Sequence, residues 1–99
     1  METIKFSYQA KTPLKKLVHV GVVGSGDLEI LMEPQDLQET HVYIRTGTKG
    51  FAGTWEAILD RFFSTHDLAA SIEINDFGAT PGVVNLRLEQ AWEVSQQHE

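Results

Sequence analysis

The stretch LVHVGVVGSGDLEILME, Leu17–Glu33, decides the fold. It holds two alternating apolar runs around a Gly-Ser-Gly centre. Val18, Val20 and Val22 share one face of the first run; Leu28, Ile30 and Met32 share one face of the second. Side chains along a strand alternate between its faces, so a hairpin must pair the two runs in a register that puts their apolar sets on the same face. That register sets Val22 opposite Leu28, Val20 opposite Ile30 and Val18 opposite Met32. All of these pairs are centred on Ser25. The expected connection is a loop of about three residues, with Gly26 in the left-handed position that such loops need. Hydrophobic patterning alone therefore places Ser25 at a β-hairpin tip.

Outward from this hairpin, Ile4, Phe6 and Tyr8 alternate through Thr3 to Tyr8 and predict a first strand. Lys11 to Lys16 is a short basic turn or linker around Pro13. Glu39 to Thr46 alternates again, with Val42 and Ile44 on one face. A glycine-rich loop, Gly47 to Gly53, follows. Thr54 is the expected helix cap, with Glu56 in the positive first turn. Trp55, Ile58, Leu59 and Phe62 then recur at the spacing of one buried helical face, with Phe63 beside them, and the helix is expected to end near Ser64 to His66. Ser71 to Asp76 reads as a strand through Ile72 and Ile74.

Gly78 to Gly82 breaks the chain. Thr80 followed by Pro81 has the form of a helix cap with proline at the first helical position. Val84, Leu86 and Leu88 alternate like a strand, whereas Val84, Leu88, Ala91 and Trp92 recur like a helix. The Thr-Pro start and the glutamate, glutamine and alanine that follow favour the helix. The tail from Ser95 is polar and is expected to fray. The order is strand, hairpin, strand, helix, strand, helix. It predicts an α+β fold over residues 1–99 as one domain, with two amphipathic helices on one face of a small, largely antiparallel sheet.

Composition narrows the function. The chain has 99 residues, 41% apolar and 22% charged, as in an ordinary globular domain. It has no cysteine, so disulfides, thiolate nucleophiles and cysteine metal sites are excluded. The formal charge of −6 argues against nucleic acid, which favours basic patches; it permits docking onto basic protein surfaces, and solubility of a small protein accounts for it equally well. Residues 1–10 lack the apolar run of a signal peptide, and no stretch has the length and hydropathy of a membrane span. The expected location is the cytoplasm.

An independent enzyme finds little support. His19, His41, His66 and His98 show no metal-ligand spacing, and each is read as a surface or structural residue. Asp27 with Glu29, and Glu73 with Asp76, are read as carboxylates on solvated strand faces. Gly24-Ser25-Gly26 is not the G-x-S-x-G of a nucleophile elbow, and no helix follows it. Trp55 and Trp92 are read as core or core-edge residues, and Asp76 to Gly82 as a turn and helix start. What remains is a serine flanked by glycines. Ordinary turn chemistry accounts for such a tripeptide. So does a modification site, because flanking glycines leave the hydroxyl open to another enzyme's pocket, which supplies the activation itself.

Val23-Gly24-Ser25-Gly26-Asp27-Leu28-Glu29 resembles the serine loop of the acyl carrier subunits of bacterial malonate decarboxylase. Asp76-Phe77-Gly78-Ala79-Thr80-Pro81-Gly82-Val83-Val84 and Leu86-Arg87-Leu88-Glu89-Gln90 resemble the C-terminal signature of that family. The resemblance is specific in these blocks and loose in Lys11 to Lys16, Glu33 to Gly50 and the tail. It implies a non-catalytic carrier in which Ser25 is esterified to 2′-(5″-phosphoribosyl)-3′-dephospho-coenzyme A, with Gly24, Gly26 and Asp27 as the flanking loop. The thiol of that group carries acetyl and malonyl thioesters. The implied partners are an acyl transferase subunit, decarboxylase subunits and the transferase that attaches the group. The fatty-acid type of carrier, with an Asp-Ser-Leu motif at a helix start, does not match. Two other readings stay open: the carrier chain of citrate lyase or a related lyase, which uses the same group, and an unmodified α+β interaction domain.

Overall fold

A computed structural model describes residues 1–97. The elements are β1 (Glu2–Gln9), β2 (Val18–Gly21), β3 (Asp27–Glu33), β4 (Glu39–Thr46), α1 (Ala52–Thr65), β5 (Ser71–Phe77) and α2 (Pro81–Gln96). They form the expected α+β fold. The five strands lie in the order β1-β4-β5-β3-β2, and every neighbouring pair is antiparallel except β4 with β5. A parallel pair needs a long crossover, and α1 supplies it.

Alternation explains the layering. Ile30 and Met32 of β3, Val42 and Ile44 of β4, and Ile72 and Ile74 of β5 point to one face and are buried. The helices cover that face. Trp55, Leu59 and Phe62 of α1 and Val84, Leu88 and Ala91 of α2 complete the core. Full burial of each large aliphatic side chain contributes about 1.5–3 kcal/mol, and this sum opposes the chain entropy lost on folding. Leu14 and Leu68, from the loops, close the core. The Lys11–Lys16 segment is a connector, with Pro13 bridged to Ala69.

The hairpin register is as the pattern predicts, with Val18 opposite Met32 and Val20 opposite Ile30. The third pair differs. The Val22 amide still donates to the Leu28 carbonyl at 3.1 Å, but the Val22 side chain is 55% exposed. The reason is Gly21, whose φ of +85° turns the chain out of the strand. The loop is therefore wider than expected, running from Val22 to Gly26.

Helix α1 also departs from expectation. It starts at Ala52, with Phe51 as a cap that makes no side-chain hydrogen bond. Gly50, at φ +87°, turns the chain into the helix, and the Phe51 carbonyl accepts from the Trp55 amide at 3.0 Å. Thr54 thus lies inside the first turn and is not the cap. Thr80 does cap α2, accepting from the Val83 amide at 3.3 Å, with Pro81 behind it. The helical period holds there: Val84 and Leu88 are buried while Leu86 is 64% exposed. Ser95 and Gln96 belong to α2, and Ser95 Oγ donates to the Trp92 carbonyl at 2.6 Å, so the chain does not fray from Ser95. His98 and Glu99 lie outside the described residues.

One end of the sheet gathers several features. The C-terminal ends of β4 and β5 meet there, with Thr46 opposite Asp76. Both loops leading into the helices leave from that end. The β2–β3 loop is there too, because Asp27 pairs with Phe77 and bridges to Gly78.

Candidate functional site

The β2–β3 loop is built by glycine at two positions. A Cβ on Gly21 would sit 2.0 Å from the Leu28 carbonyl oxygen, so only glycine permits this exit from the strand. Gly26, at φ +78°, is the third residue of a turn closed by the Asp27 amide donating to the Gly24 carbonyl at 3.1 Å. Left-handed geometry at that position is what a type II turn requires. Ser25 precedes it and is exposed. A Cβ on Gly26 would meet nothing within 4 Å, so the space beside the serine is open.

The backbone after Ser25 is held firmly. The Gly26 amide donates to the Phe77 carbonyl at 2.8 Å. Asp27 Oδ1 accepts from the Leu28 amide at 2.7 Å. Arg87 of α2 donates from Nε to Asp27 Oδ1 at 3.1 Å and from Nη2 to Oδ2 at 2.6 Å. The hydrogen bonds from Arg87 and then from the Leu28 amide hold the Asp27 carboxyl below the usual carboxylate range, and the bonds between Arg87 and Asp27 raise Arg87. Among the described residues, none hydrogen-bonds the Ser25 hydroxyl. The site is thus a free hydroxyl on a fixed backbone.

Asp27 is a half-buried anchor. Asp76 is a correction: it is only 6% exposed and does not lie on a solvated face. Its Oδ2 accepts from Thr46 Oγ1 at 2.8 Å and its Oδ1 from the Ala79 amide at 2.9 Å, which shapes the turn into α2. Glu29 and Glu73 do share the uncovered sheet face, linked through Asn75 Nδ2 at 3.0 and 3.2 Å.

The histidines are dispersed. His19 lies 3.0 Å from Glu29 and His41 lies 2.6 Å from Glu39. His66 stacks on Phe62 and meets the edge of Trp92. His98 is outside the described residues. Among the described residues, no three His, Asp or Glu side chains gather as a metal site would need. Trp55 is buried and Trp92 partly so, as read from the sequence.

Arg87 and Phe77, the two loop anchors on other elements, fall inside the blocks that carry the family resemblance, but nothing local signals their pairing with the serine loop. Arg87 is 60 positions from Asp27, and no periodicity links them.

A small α+β domain that presents one unshielded hydroxyl on a braced loop has the form of a carrier chain. The family model described as malonate decarboxylase delta subunit (MdcD), of the acyl carrier type, matches residues 15–95. The malonate decarboxylase acyl carrier protein of Azotobacter vinelandii is 45% identical over 94 residues, covering 94% of this chain and 95% of that protein. The corresponding protein of Pseudomonas savastanoi pv. phaseolicola is 47% identical over the same shares. Among solved structures, a chain in the crystal structure of a Pseudomonas malonate decarboxylase hetero-tetramer in complex with malonate superposes with a TM-score of 0.91. It is 44% identical, and the match covers 96% of this chain and 99% of that one. The chain belongs to the family of malonate decarboxylase acyl carrier (delta) subunits, and its role is that of a non-catalytic acyl carrier.

Proposed function

We propose that Ser25 is the attachment point of 2′-(5″-phosphoribosyl)-3′-dephospho-coenzyme A, and that the chain carries acetyl and malonyl groups on it between the subunits of a malonate decarboxylase. The observation that carries this reading is the braced turn: Ser25 is exposed while the backbone after it is fixed by Phe77 and Arg87. The residues fit a large adduct. Gly24 and Gly26 put no side chain beside the hydroxyl, and the space over Gly26 is open.

The group supplies a thiol that holds the acyl cargo as a thioester. The chain's own residues present and aim it. Gly21 and Gly26 set the path of the loop, and Asp27 with Arg87 limits its motion, so a modifying enzyme meets one conformation rather than an ensemble. Tethering converts a diffusing substrate into a local one and raises its effective concentration at each partner. The partners in this reading are an acyl transferase subunit, decarboxylase subunits and the transferase that loads Ser25.

The test is the intact mass of the chain taken from a host with an active loading system, with fragmentation to locate the adduct. A dephospho-coenzyme A adduct on Ser25, absent from Ser25→Ala, is the expected result. A bare mass from that host overturns the reading and leaves an unmodified interaction domain.

A further inference from the structure

A groove of about 360 Å³ opens at the serine end of the sheet, between the starts of the two helices. Its volume is at the lower end of the roughly 300–1,000 Å³ of small-molecule sites. Phe51, Trp55, Ile58 and Val84 give it apolar walls, and Thr46 and Asp76 give it a polar floor. It lies beyond the carboxyl ends of the parallel pair β4 and β5, where open sheets with helical crossovers commonly bind ligands.

The groove and the serine loop share a wall. Gly78 lines the groove, and a Cβ built on Gly78 would come within 3.9 Å of the Gly26 amide nitrogen. The peptide joining Phe77 to Gly78 also accepts from that amide. A flexible group on Ser25 therefore starts at the rim of the groove. At the floor the Asp76 carboxylate keeps lone pairs beyond its bonds to Thr46 and Ala79 for amide or thiol hydrogens, and the walls suit methyl and methylene groups.

Resting on the carrier reading above, we propose that this groove is the resting site for the uncharged end of the arm on Ser25, as free thiol or acetyl thioester, and that it rejects the malonyl thioester. The floor supplies the discrimination. Asp76 is buried and already accepts two hydrogen bonds. A second carboxylate beside it would lose its water and gain no cation in exchange. Among the described residues, no Lys or Arg lines the groove. The acetyl form is thus withdrawn into the carrier, while the malonyl form stays in solvent, available to a decarboxylating partner.

The test uses the full chain loaded on Ser25 by its transferase, in thiol, acetyl and malonyl forms, with loading verified by intact mass. The readout is the NMR shift of the Trp55 indole N–H and the Ala79 amide, relative to the unloaded chain. Expected are clear shifts at both in the thiol and acetyl forms, with the malonyl form close to the unloaded one. Thr54→Trp, at an exposed helix position on the groove wall, fills the groove from its solvent side and leaves every buried core residue in place. It should abolish these shifts while Ser25 still loads, and should make the thiol several-fold faster to alkylate. Shifts confined to residues 22–28, or equal for the acetyl and malonyl forms, overturn the groove proposal and leave the carrier reading standing. A chain that the transferase cannot load overturns both.

Discussion

Arg87 and Asp27 tie helix α2 to the serine loop through two hydrogen bonds, of 3.1 and 2.6 Å, that engage both carboxylate oxygens. Two parallel bonds of this kind fix direction as well as distance. The pair is partly exposed, so its contribution to global stability is small. Its consequence lies in the loop, because Asp27 follows Ser25 by two residues and closes the turn.

Removing the guanidinium should loosen the loop more than the fold. In Arg87→Met the amides of Gly26 and Asp27 are expected to exchange with solvent several-fold faster, while those of Ile30 and Ile74 stay near wild type. Loading of Ser25 by its transferase should slow. Arg87→Lys should recover little, since a single ammonium does not reproduce the planar fork. Hydrogen exchange followed by NMR checks this. Uniform acceleration across β3 and β5 would mean that the pair is structural rather than local.

The same pair gives a pH dependence. Asp27 is held low by Arg87 and the Leu28 amide; Asp67 is held low by the Lys11 amide and the Thr12 hydroxyl. Both are carboxyls whose folded pKa lies below the unfolded value of about 3.9. The unfolded chain then binds protons first as the pH drops. Their stabilisation is fully present above about pH 4 and is lost as the pH falls through the lowered folded values. Urea midpoints at pH 7 and pH 3 should converge between wild type and an Asp27→Asn, Asp67→Asn double variant. A difference as large at pH 3 as at pH 7 would show that neither carboxylate is the source.

Leu59 sits at the centre of α1 and is fully buried against the sheet. Leu59→Ala removes transfer energy and leaves a cavity, at a cost of about 2–5 kcal/mol. For a chain of this size that is a large share of the total stability. The urea midpoint should fall accordingly, with the slope of the transition little changed. Leu86→Ala on the exposed face of α2 should move it by less than about 0.5 kcal/mol.

Alternation made the strands legible, because one face of the sheet is covered and the other is not. Glu39–Thr46 appears at the bounds read from the sequence. The same rule carried a signal for Asp76 that charge concealed: it continues Ile72 and Ile74 on the covered face. Val22 continued the alternation on paper, yet Gly21 ends the strand first. A glycine inside a strand pattern is the usual mark of a bulge or close approach. Phe51 as a cap had no signal, since the bond is made by its carbonyl. The contacts that brace Ser25 come from α2 and β5, and no local pattern predicts a pairing across 60 positions. The chemistry attached to the serine entered through the resemblance of two sequence blocks, because spacing alone favours an ordinary turn over a modification site.

The two loop glycines separate strain from space. Gly21 and Gly26 both have left-handed backbones, at φ +85° and +78°. Any side chain there costs about 1–2 kcal/mol. Gly26→Ala adds only that cost, since its Cβ meets nothing within 4 Å. Gly21→Ala adds a collision, with its Cβ 2.0 Å from the Leu28 carbonyl oxygen, a backbone atom that does not swing aside. The strand must then separate at Val22 and Leu28, and Ser25 is displaced with it. Gly21→Ala should therefore lose clearly more stability than Gly26→Ala in urea titration, and the Val22 amide should lose its exchange protection. Equal losses, with Val22 still protected, would show that the loop leaves β2 by another path.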